Sequence, residues 1–282
     1  MKRARGKAKK ARPLRRGLFY ALLIFLGVVA CFPLFWMFLT SLKHRIIAFS
    51  IPPVWIFEPT FEAYKVLFIE KNSFHFLLNS VIVSFSATGL AMVAGTLAAY
   101  SLARYKFAGR EDFAFWFLVN RMIPPLALII PIYVIFATLG LLDTRVGLIW
   151  LYTAMQLPFV IWMMRGFFED LPREVEEIAV IDGASWFTVL TRITLPLTSP
   201  GLAATAIFVL ILSWNEFAFA FILTSRNAKT LPPSALTFMT EAQVAWNEVG
   251  GAAIVISIPM ILFALLVQKH LVRGLTMGAI RE

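Results

Sequence analysis

Six long apolar stretches constrain the fold of this chain more than any other feature of its sequence. They cover residues 18–40, 76–102, 113–137, 146–168, 202–224 and 250–271. A helix of about 20 apolar residues crosses a hydrocarbon core of about 30 Å, and each stretch reaches that length. Only 15% of the 282 residues are charged, which is too little polar surface for a soluble domain of this size. We therefore expect an all-α integral membrane protein with six transmembrane helices, called spans one to six.

The distribution of positive charge predicts how the spans are oriented. Nine of the first sixteen residues are Lys or Arg, and this basic run directly precedes span one. A basic run can bind nucleic acid, but beside a span it is more typical of a cytoplasmic anchor at the lipid bilayer. Six spans then place both the N- and C-termini in the cytoplasm. We expect a basic cytoplasmic tail (1–17), a six-helix transmembrane domain (18–272) and a cytoplasmic C-terminal tail (273–282), with no nucleic-acid partner.

The sequence carries no pattern typical of catalysis or metal binding. Cys31 is the single cysteine, and the three histidines share no ligand spacing. A phosphate-binding G-x-x-x-x-G-K-[ST] loop is also absent from the sequence. We expect a chain that binds no metal or cofactor, is not itself an enzyme and does not hydrolyse ATP.

The longest polar-rich interruption in the second half of the chain, residues 171–196, predicts two short helices joined by a glycine. Pro172 suits a helix start, where a missing N–H costs nothing, and Gly183 suits a helix end that needs a positive φ. Negative charge near a helix N-terminus is favourable, and three glutamates follow Pro172: Glu174, Glu176 and Glu177. We expect the second helix to cover 184–193 and to be ended by Pro196 and Pro200. From the pattern alone, this segment either docks against another protein or merely connects spans four and five.

Span two carries small residues every four positions, at Ala87, Ala91, Gly95 and Ala99. Such a stripe lets another helix approach closely in a membrane, although an alanine-rich segment also produces one by chance.

Polar residues at membrane depth are the candidates for solute contact. At about 1.5 Å per residue, Arg121 and Gln156 fall near the bilayer midplane, with Asn215 and Glu216 somewhat outside it. Amide and carboxylate groups can replace the water around sugar hydroxyls, and Trp214 can stack on a sugar face. Alternatively, these groups hold helices together. Arg121 precedes Pro124 and Pro125, where we expect span three to bend or break, so it also suits a structural or gating role.

The spacing within the interruption carries a specific resemblance. Glu177-Ile178-Ala179, three residues, Gly183, nine residues and Ile193-Thr194-Leu195-Pro196 resemble the EAA signature of ABC importer permeases, with Ile178 as the one departure. This resemblance implies that residues 171–196 form a cytoplasmic helix–Gly–helix coupling loop that docks into a cleft on an ATPase subunit. The implied ATPase-coupling residues are Glu177, Ile178, Ala179, Gly183, Ile193, Leu195 and Pro196.

Other segments resemble the carbohydrate-uptake branch of these permeases, in particular the maltose type. They are Asn79-Ser80, 121–125, 157–159, 214–217 and 268–279. The resemblance implies a permease subunit of an ATP-driven sugar importer in the bacterial cytoplasmic (inner) membrane. It implies a second homologous permease subunit, two ATPase subunits that bind the ATP and Mg, and an extracytoplasmic solute-binding protein. It adds Asn79 to the substrate path, although in some members the sugar contacts lie mostly on the partner permease.

A channel or secondary transporter without ATPase partners is the alternative. It fits six spans with polar residues at membrane depth, but it leaves the loop signature unexplained.

Overall fold

The computed structural model describes residues 13–239 and 244–277, and their regular structure is almost entirely helical. The helices are α1 Pro13–Ser41, α2 Glu62–Lys65, α3 Ser73–Arg104, α4 Arg110–Asn120, α5 Pro125–Thr138, α6 Arg145–Glu169, α7 Arg173–Ile181, α8 Trp186–Val189, α9 Leu195–Leu197, α10 Ser199–Trp214, α11 Ala218–Leu223, α12 Leu231–Ser234 and α13 Trp246–Met277. A π-helical turn, Leu190–Thr194, joins α8 to α9. Within the described ranges, extended pairing is limited to an isolated bridge between Met239 and Val244.

The lengths of these helices agree with the membrane prediction. Four stretches are long and apolar enough to cross a membrane alone: Gly17–Ser41, Ser73–Arg104, Arg145–Glu169 and Trp246–Leu265. Two further candidates are bent pairs, α4 with α5 at 95° and the path Trp186–Leu197 with α10 at 79°. If each bent pair is one span, the described part of the chain has up to six spans. The prediction of an all-α membrane protein is confirmed.

Span three breaks where its prolines predict. Pro124 adopts an extended conformation with φ −60° and ψ 125°, and Pro125 begins α5. A proline at the first helical position loses no hydrogen bond, because its N–H would have no partner within the helix. The chain therefore turns sharply just after Arg121.

One expectation about the fifth span is wrong. The sequence predicts one helix over 202–224, whereas α10 ends at Trp214 and α11 begins at Ala218. The sequence also predicts that Pro196 and Pro200 end the helix that follows Gly183. The helical path continues past the expected bound of residue 193 to Leu197, and so it ends between the two prolines with a 79° bend. Pro200 lies in the first turn of α10, where proline is tolerated.

The small-residue stripe of span two packs against α6, which confirms the predicted close approach. Ala87, Ala91 and Ala99 are fully buried, in clusters that contain apolar residues of α6. At Gly95, an added Cβ would lie 2.6 Å from Cγ1 of Val160 on α6. The α3–α6 pair thus forms the centre of the helix bundle.

Residues 1–12 and 278–282 of the expected tails lie outside the described residues. Helix α1 begins at Pro13, inside the stretch assigned to the N-terminal tail, and α13 continues to Met277, inside the stretch assigned to the C-terminal tail. The end of the bundle that carries α7 is called the loop end below, and the other end is called the opposite end.

Candidate functional site

The segment at the loop end has the predicted helix–glycine–helix form. Helix α7 starts directly after Pro172 and ends before Gly183, which has φ +89°. The backbone N–H of Ala184 donates to the carbonyl of Ala179 at 3.0 Å, so the turn at Gly183 satisfies a carbonyl of the last helical turn. A side chain at Gly183 would meet no atom, and the requirement for glycine is therefore one of backbone conformation.

One face of α7 is apolar and exposed. Ile178 is 60% exposed and Ile181 is 83% exposed, while Glu177 lies exposed beside them. Gly183 and Pro196 of the signature are also exposed, whereas Ala179, Ile193 and Leu195 are half-buried. Apolar side chains this exposed on a short polar helix are typical of a protein-contact surface.

The opposite face of α7 is attached to the bundle by a set of buried polar contacts, which we call the clasp. Nε of Arg104 donates to Oε2 of Glu176 at 2.6 Å, and Oγ1 of Thr194 donates to Oε1 of Glu176 at 2.6 Å. Nη2 of Arg104 also donates to the carbonyl of Leu171 at 3.1 Å. The sequence predicts a helix-dipole role for Glu176, and neither Glu176 nor Arg104 carries a sequence signal of this pairing.

A cavity of about 700 Å³ lies between α6 and two broken helix pairs, α4 with α5 and α10 with α11. Of the residues predicted for the substrate path, the structure brings four to its wall: Arg121, Gln156, Asn215 and Glu216. Nη1 of Arg121 donates to Oε1 of Gln156 at 3.5 Å, and the guanidinium lies 4.8 Å from the ring centre of Phe159. Among the described residues, Arg121 forms no ion pair with a carboxylate. The cavity wall therefore combines a cation with amide groups.

The carboxylate of Glu216 is occupied by the protein itself. It accepts from the hydroxyl of Tyr152 at 2.7 Å, from the N–H of Phe219 at 2.9 Å and from the N–H of Ala220 at 3.0 Å. The carboxylate thus satisfies the backbone where α11 restarts after the break. Asn215 is exposed, and its Nδ2 donates to the carbonyl of Ile211 at 2.9 Å, which leaves its oxygen directed away from that bond. Asn215 is therefore better placed than Glu216 to accept a new hydrogen bond.

Trp214 and Asn79, the other two residues predicted for the substrate path, are not among the residues that line this cavity. The Trp214 side chain is buried, its Nε1 donates to the carbonyl of Ile256 at 3.2 Å, and its ring packs against Phe263. These contacts pack α10 on α13. Asn79 is buried near the opposite end, where its Nδ2 donates to the carbonyls of Asn227 and Lys229 at 2.9 and 2.8 Å.

A second polar anchor at the opposite end holds the segment that follows α11. The carboxylate of Asp143 accepts from four successive backbone N–H groups, those of residues 225 to 228. Burial acts to raise the pKa of Asp143, but these hydrogen bonds outweigh it and lower the pKa from 3.8 to about 2. The ionised carboxylate is therefore a fixed part of this turn at neutral pH.

Comparisons with known proteins agree on one family. Residues 91–277 match the family described as binding-protein-dependent transport system inner membrane component. The chain is 39% identical to the probable ABC transporter permease protein y4oR of Sinorhizobium fredii, over 97% of this chain and 98% of that protein. It is 33% identical to the trehalose/maltose transport system permease protein MalG of Thermococcus litoralis, over 95% of this chain and 98% of that protein.

The fold is also known from crystallography. A bacterial ABC transporter involved in the import of the acidic polysaccharide alginate contains a chain with a TM-score of 0.77 and 23% identity, covering 92% of this chain and 98% of that one. Taken with the family match and the two relatives, the similarity along nearly the whole chain shows that this protein belongs to the inner-membrane components of binding-protein-dependent transport systems.

Proposed function

We propose that this chain is one permease subunit of an ATP-driven importer that moves a sugar or sugar-derived solute into the cytoplasm. The single observation that carries the proposal is the exposed apolar face of α7, held at a fixed place on a membrane bundle and followed by Gly183 in the left-handed conformation. The trehalose/maltose permease relative and the alginate importer support a saccharide as the solute class.

In this proposal the working complex contains four further components. Two ATPase subunits bind ATP and Mg and receive the coupling loop, a second permease subunit completes the transmembrane path, and an extracytoplasmic solute-binding protein delivers the solute. The chain spans the bacterial inner membrane with both termini in the cytoplasm, so the loop end faces the cytoplasm.

Docking of α7 has a sufficient energetic basis. Fully burying a side chain such as isoleucine contributes roughly 1.5–3 kcal/mol relative to leaving it exposed. Ile178 and Ile181 are both largely exposed in the single chain, so their burial in a partner's cleft favours association without loss of contacts inside the bundle. Closure of the ATPase subunits on ATP then moves α7 as a rigid body, and the bundle alternates between outward and inward access.

The cavity provides the chemistry for a polyhydroxylated solute. Asn215, Gln156 and Arg121 present amide and guanidinium groups beside apolar side chains of α5, α6 and α11. Such a wall replaces the water around hydroxyl groups by directed hydrogen bonds, which a polar solute requires at membrane depth.

The proposal is tested by replacing the exposed apolar face. The tagged chain is co-expressed with its ATPase, second permease and binding-protein partners, and the complex is reconstituted into vesicles for uptake of labelled trehalose, maltose and other saccharides. We expect Ile178→Asp to lower ATPase co-purification and uptake by at least about tenfold, because a carboxylate then has to enter an apolar contact without a partner.

The matched control is Ile56→Asp, which places the same charge on a residue that is 95% exposed, between α1 and α2. This variant should assemble and import like the wild-type protein. Saccharide uptake that continues without any ATPase subunit, or an Ile178→Asp complex indistinguishable from Ile56→Asp, would contradict the proposal and favour a channel or secondary transporter.

A further inference from the structure

We infer that the buried clasp of Arg104, Glu176 and Thr194 is the connection that transmits movement of α7 to α3, and that these are positioning residues for coupling. The inference rests on the proposed function and adds the internal contact through which a docked loop acts on the bundle. Its basis is the way in which α7 is attached to the rest of the chain.

Glu176 is the one buried residue of α7, all of whose residues the structure describes. The exposed face of this helix is free for a partner, and this carboxylate is the buried side chain by which the helix contacts the bundle. Arg173 adds a second attachment from the start of α7, because its Nη2 donates to the carbonyl of Ala103 on α3 at 3.1 Å. Both attachments reach the last turn of α3.

The clasp joins three parts of the chain that are distant in sequence. Arg104 ends α3, Glu176 lies in the first helix of the coupling loop, and Thr194 lies beyond Gly183 in the second. Because Glu176 accepts from both of the others at 2.6 Å, the two halves of the loop and the end of α3 are held in one arrangement. A force applied to either half of the loop therefore reaches α3.

Stability alone explains this arrangement poorly. The side chains of Arg104 and Glu176 are 5% and 3% exposed, and taking two charges out of water is costly enough that an apolar pair of similar volume is often at least as stable. An apolar pair, however, can slide, whereas hydrogen bonds between charged groups fix distance and direction. The pair of Arg110 and Glu169, also near the loop end, has side chains that are 18% and 42% exposed and serves as a contrast.

From the clasp, a continuous packed route leads to the cavity. The stripe of α3 packs tightly on α6, with the Cβ position of Gly95 only 2.6 Å from Val160. Gln156 lies one helical turn from Val160 on α6 and lines the cavity. Displacement of the end of α3 is therefore expected to displace the wall that carries Gln156.

The test separates coupling from folding and docking. A reporter cysteine at Ala218, which lines the cavity, is introduced in a Cys31→Ser background, and its labelling by a maleimide is measured with and without a non-hydrolysable ATP analogue. Uptake per ATP hydrolysed is measured in parallel with the labelled saccharides named above. The test variants are Glu176→Gln and the apolar double variant Arg104→Met with Glu176→Met, and the matched control is Glu169→Gln.

We expect all three variants to co-purify with the ATPase, because the exposed face of α7 is unchanged. In both clasp variants the nucleotide-dependent change in labelling should be largely lost, and uptake per ATP should fall roughly tenfold, the factor expected for losing one charge-assisted hydrogen bond to a buried group. The control should behave like the wild-type protein. The double variant keeps the test informative if Glu176→Gln misfolds, since it leaves no unpaired buried charge.

Two outcomes overturn the inference. If the double variant assembles and couples like the wild-type complex, directed contacts at the clasp are unnecessary for transmission. If both clasp variants lose ATPase association in proportion to lost transport, the clasp only supports folding or docking. Failure of the proposed function has a different signature, because the wild-type complex itself would then show no nucleotide-dependent labelling and no ATP-driven uptake.

Discussion

Substitution of Gly95 by alanine should destabilise the helix bundle measurably, and the structure sets the size of the effect. The new Cβ would lie 2.6 Å from Cγ1 and 2.7 Å from Cβ of Val160, which is fully buried. Carbon atoms in contact prefer about 3.5–4.0 Å, so α3 and α6 would have to separate by about 1 Å. Overpacking of this kind typically destabilises the folded state by about 1–3 kcal/mol. Replacing a helical glycine by alanine stabilises it by roughly 0.5–1 kcal/mol.

We therefore expect Gly95→Ala to lose about 1–2 kcal/mol of stability, or about 2–8 °C in a thermal melt of the detergent-solubilised protein. The matched control is Gly89→Ala in the same helix, where an added Cβ meets nothing within 4 Å and the melting temperature should stay constant or rise. In a double-mutant cycle, the cost of Gly95→Ala should be smaller in a Val160→Gly background than in the wild-type protein, because the close contact is absent there. Equal melting temperatures for the two single alanine variants would refute the close approach of α3 and α6.

Two further predictions concern the opposite end and the cavity. Asp143→Asn should lower thermal stability by about 1–3 kcal/mol, because an amide group cannot accept all the bonds from residues 225–228. Since the folded state lowers the pKa of Asp143 from 3.8 to about 2, the stability it contributes is complete above about pH 4 and is lost as the pH falls through about 2. Melting curves of wild type and variant should therefore converge at low pH, and a constant difference would contradict this assignment. Gln156→Ala and Asn215→Ala should each lower saccharide uptake several-fold while ATPase co-purification is unchanged, and unchanged uptake in both would place the solute contacts on the partner permease.

Features that depend on local pattern were accessible from the sequence. Apolar length indicates which stretches can cross the membrane, because a helix in lipid must satisfy its own backbone and cover about 30 Å. Pro124 and Pro125 predict the break in span three, since a proline in a helix interior removes a backbone hydrogen bond and clashes with the preceding turn. The spacing of Ala87, Ala91, Gly95 and Ala99 indicated a close helix contact, although it did not identify α6 as the partner helix.

The sequence does not predict the break at residues 215–217, because no breaker residue marks it. The sequence there reads Asn-Glu-Phe within an apolar stretch, and neither glycine nor proline is present. The structure tolerates the break because the carboxylate of Glu216 supplies acceptors for two N–H groups of α11, and the hydroxyl of Tyr152 donates to the same carboxylate. Glu216, which the sequence predicts as a solute ligand, thus also accepts hydrogen bonds from the backbone of α11. Only its contacts in the folded structure show this role.

Glu176 and Glu177 show why the sequence predicts the loop of residues 171–196 but not the contact that attaches this loop to α3. Adjacent residues on a helix point about 100° apart, so two identical side chains next to each other can face different surroundings. Glu177 lies exposed and belongs to the recognised signature, whereas Glu176 is buried and pairs with a residue 72 positions earlier in the chain. A short sequence motif can mark residues that are close together in the chain, such as those on one exposed surface. A contact between residues far apart in the chain produces no such fixed spacing in the sequence. In the proposed mechanism, transmission requires that α7 hold the bundle as firmly as it holds its ATPase partner, so the buried face should be as sensitive to substitution as the exposed one.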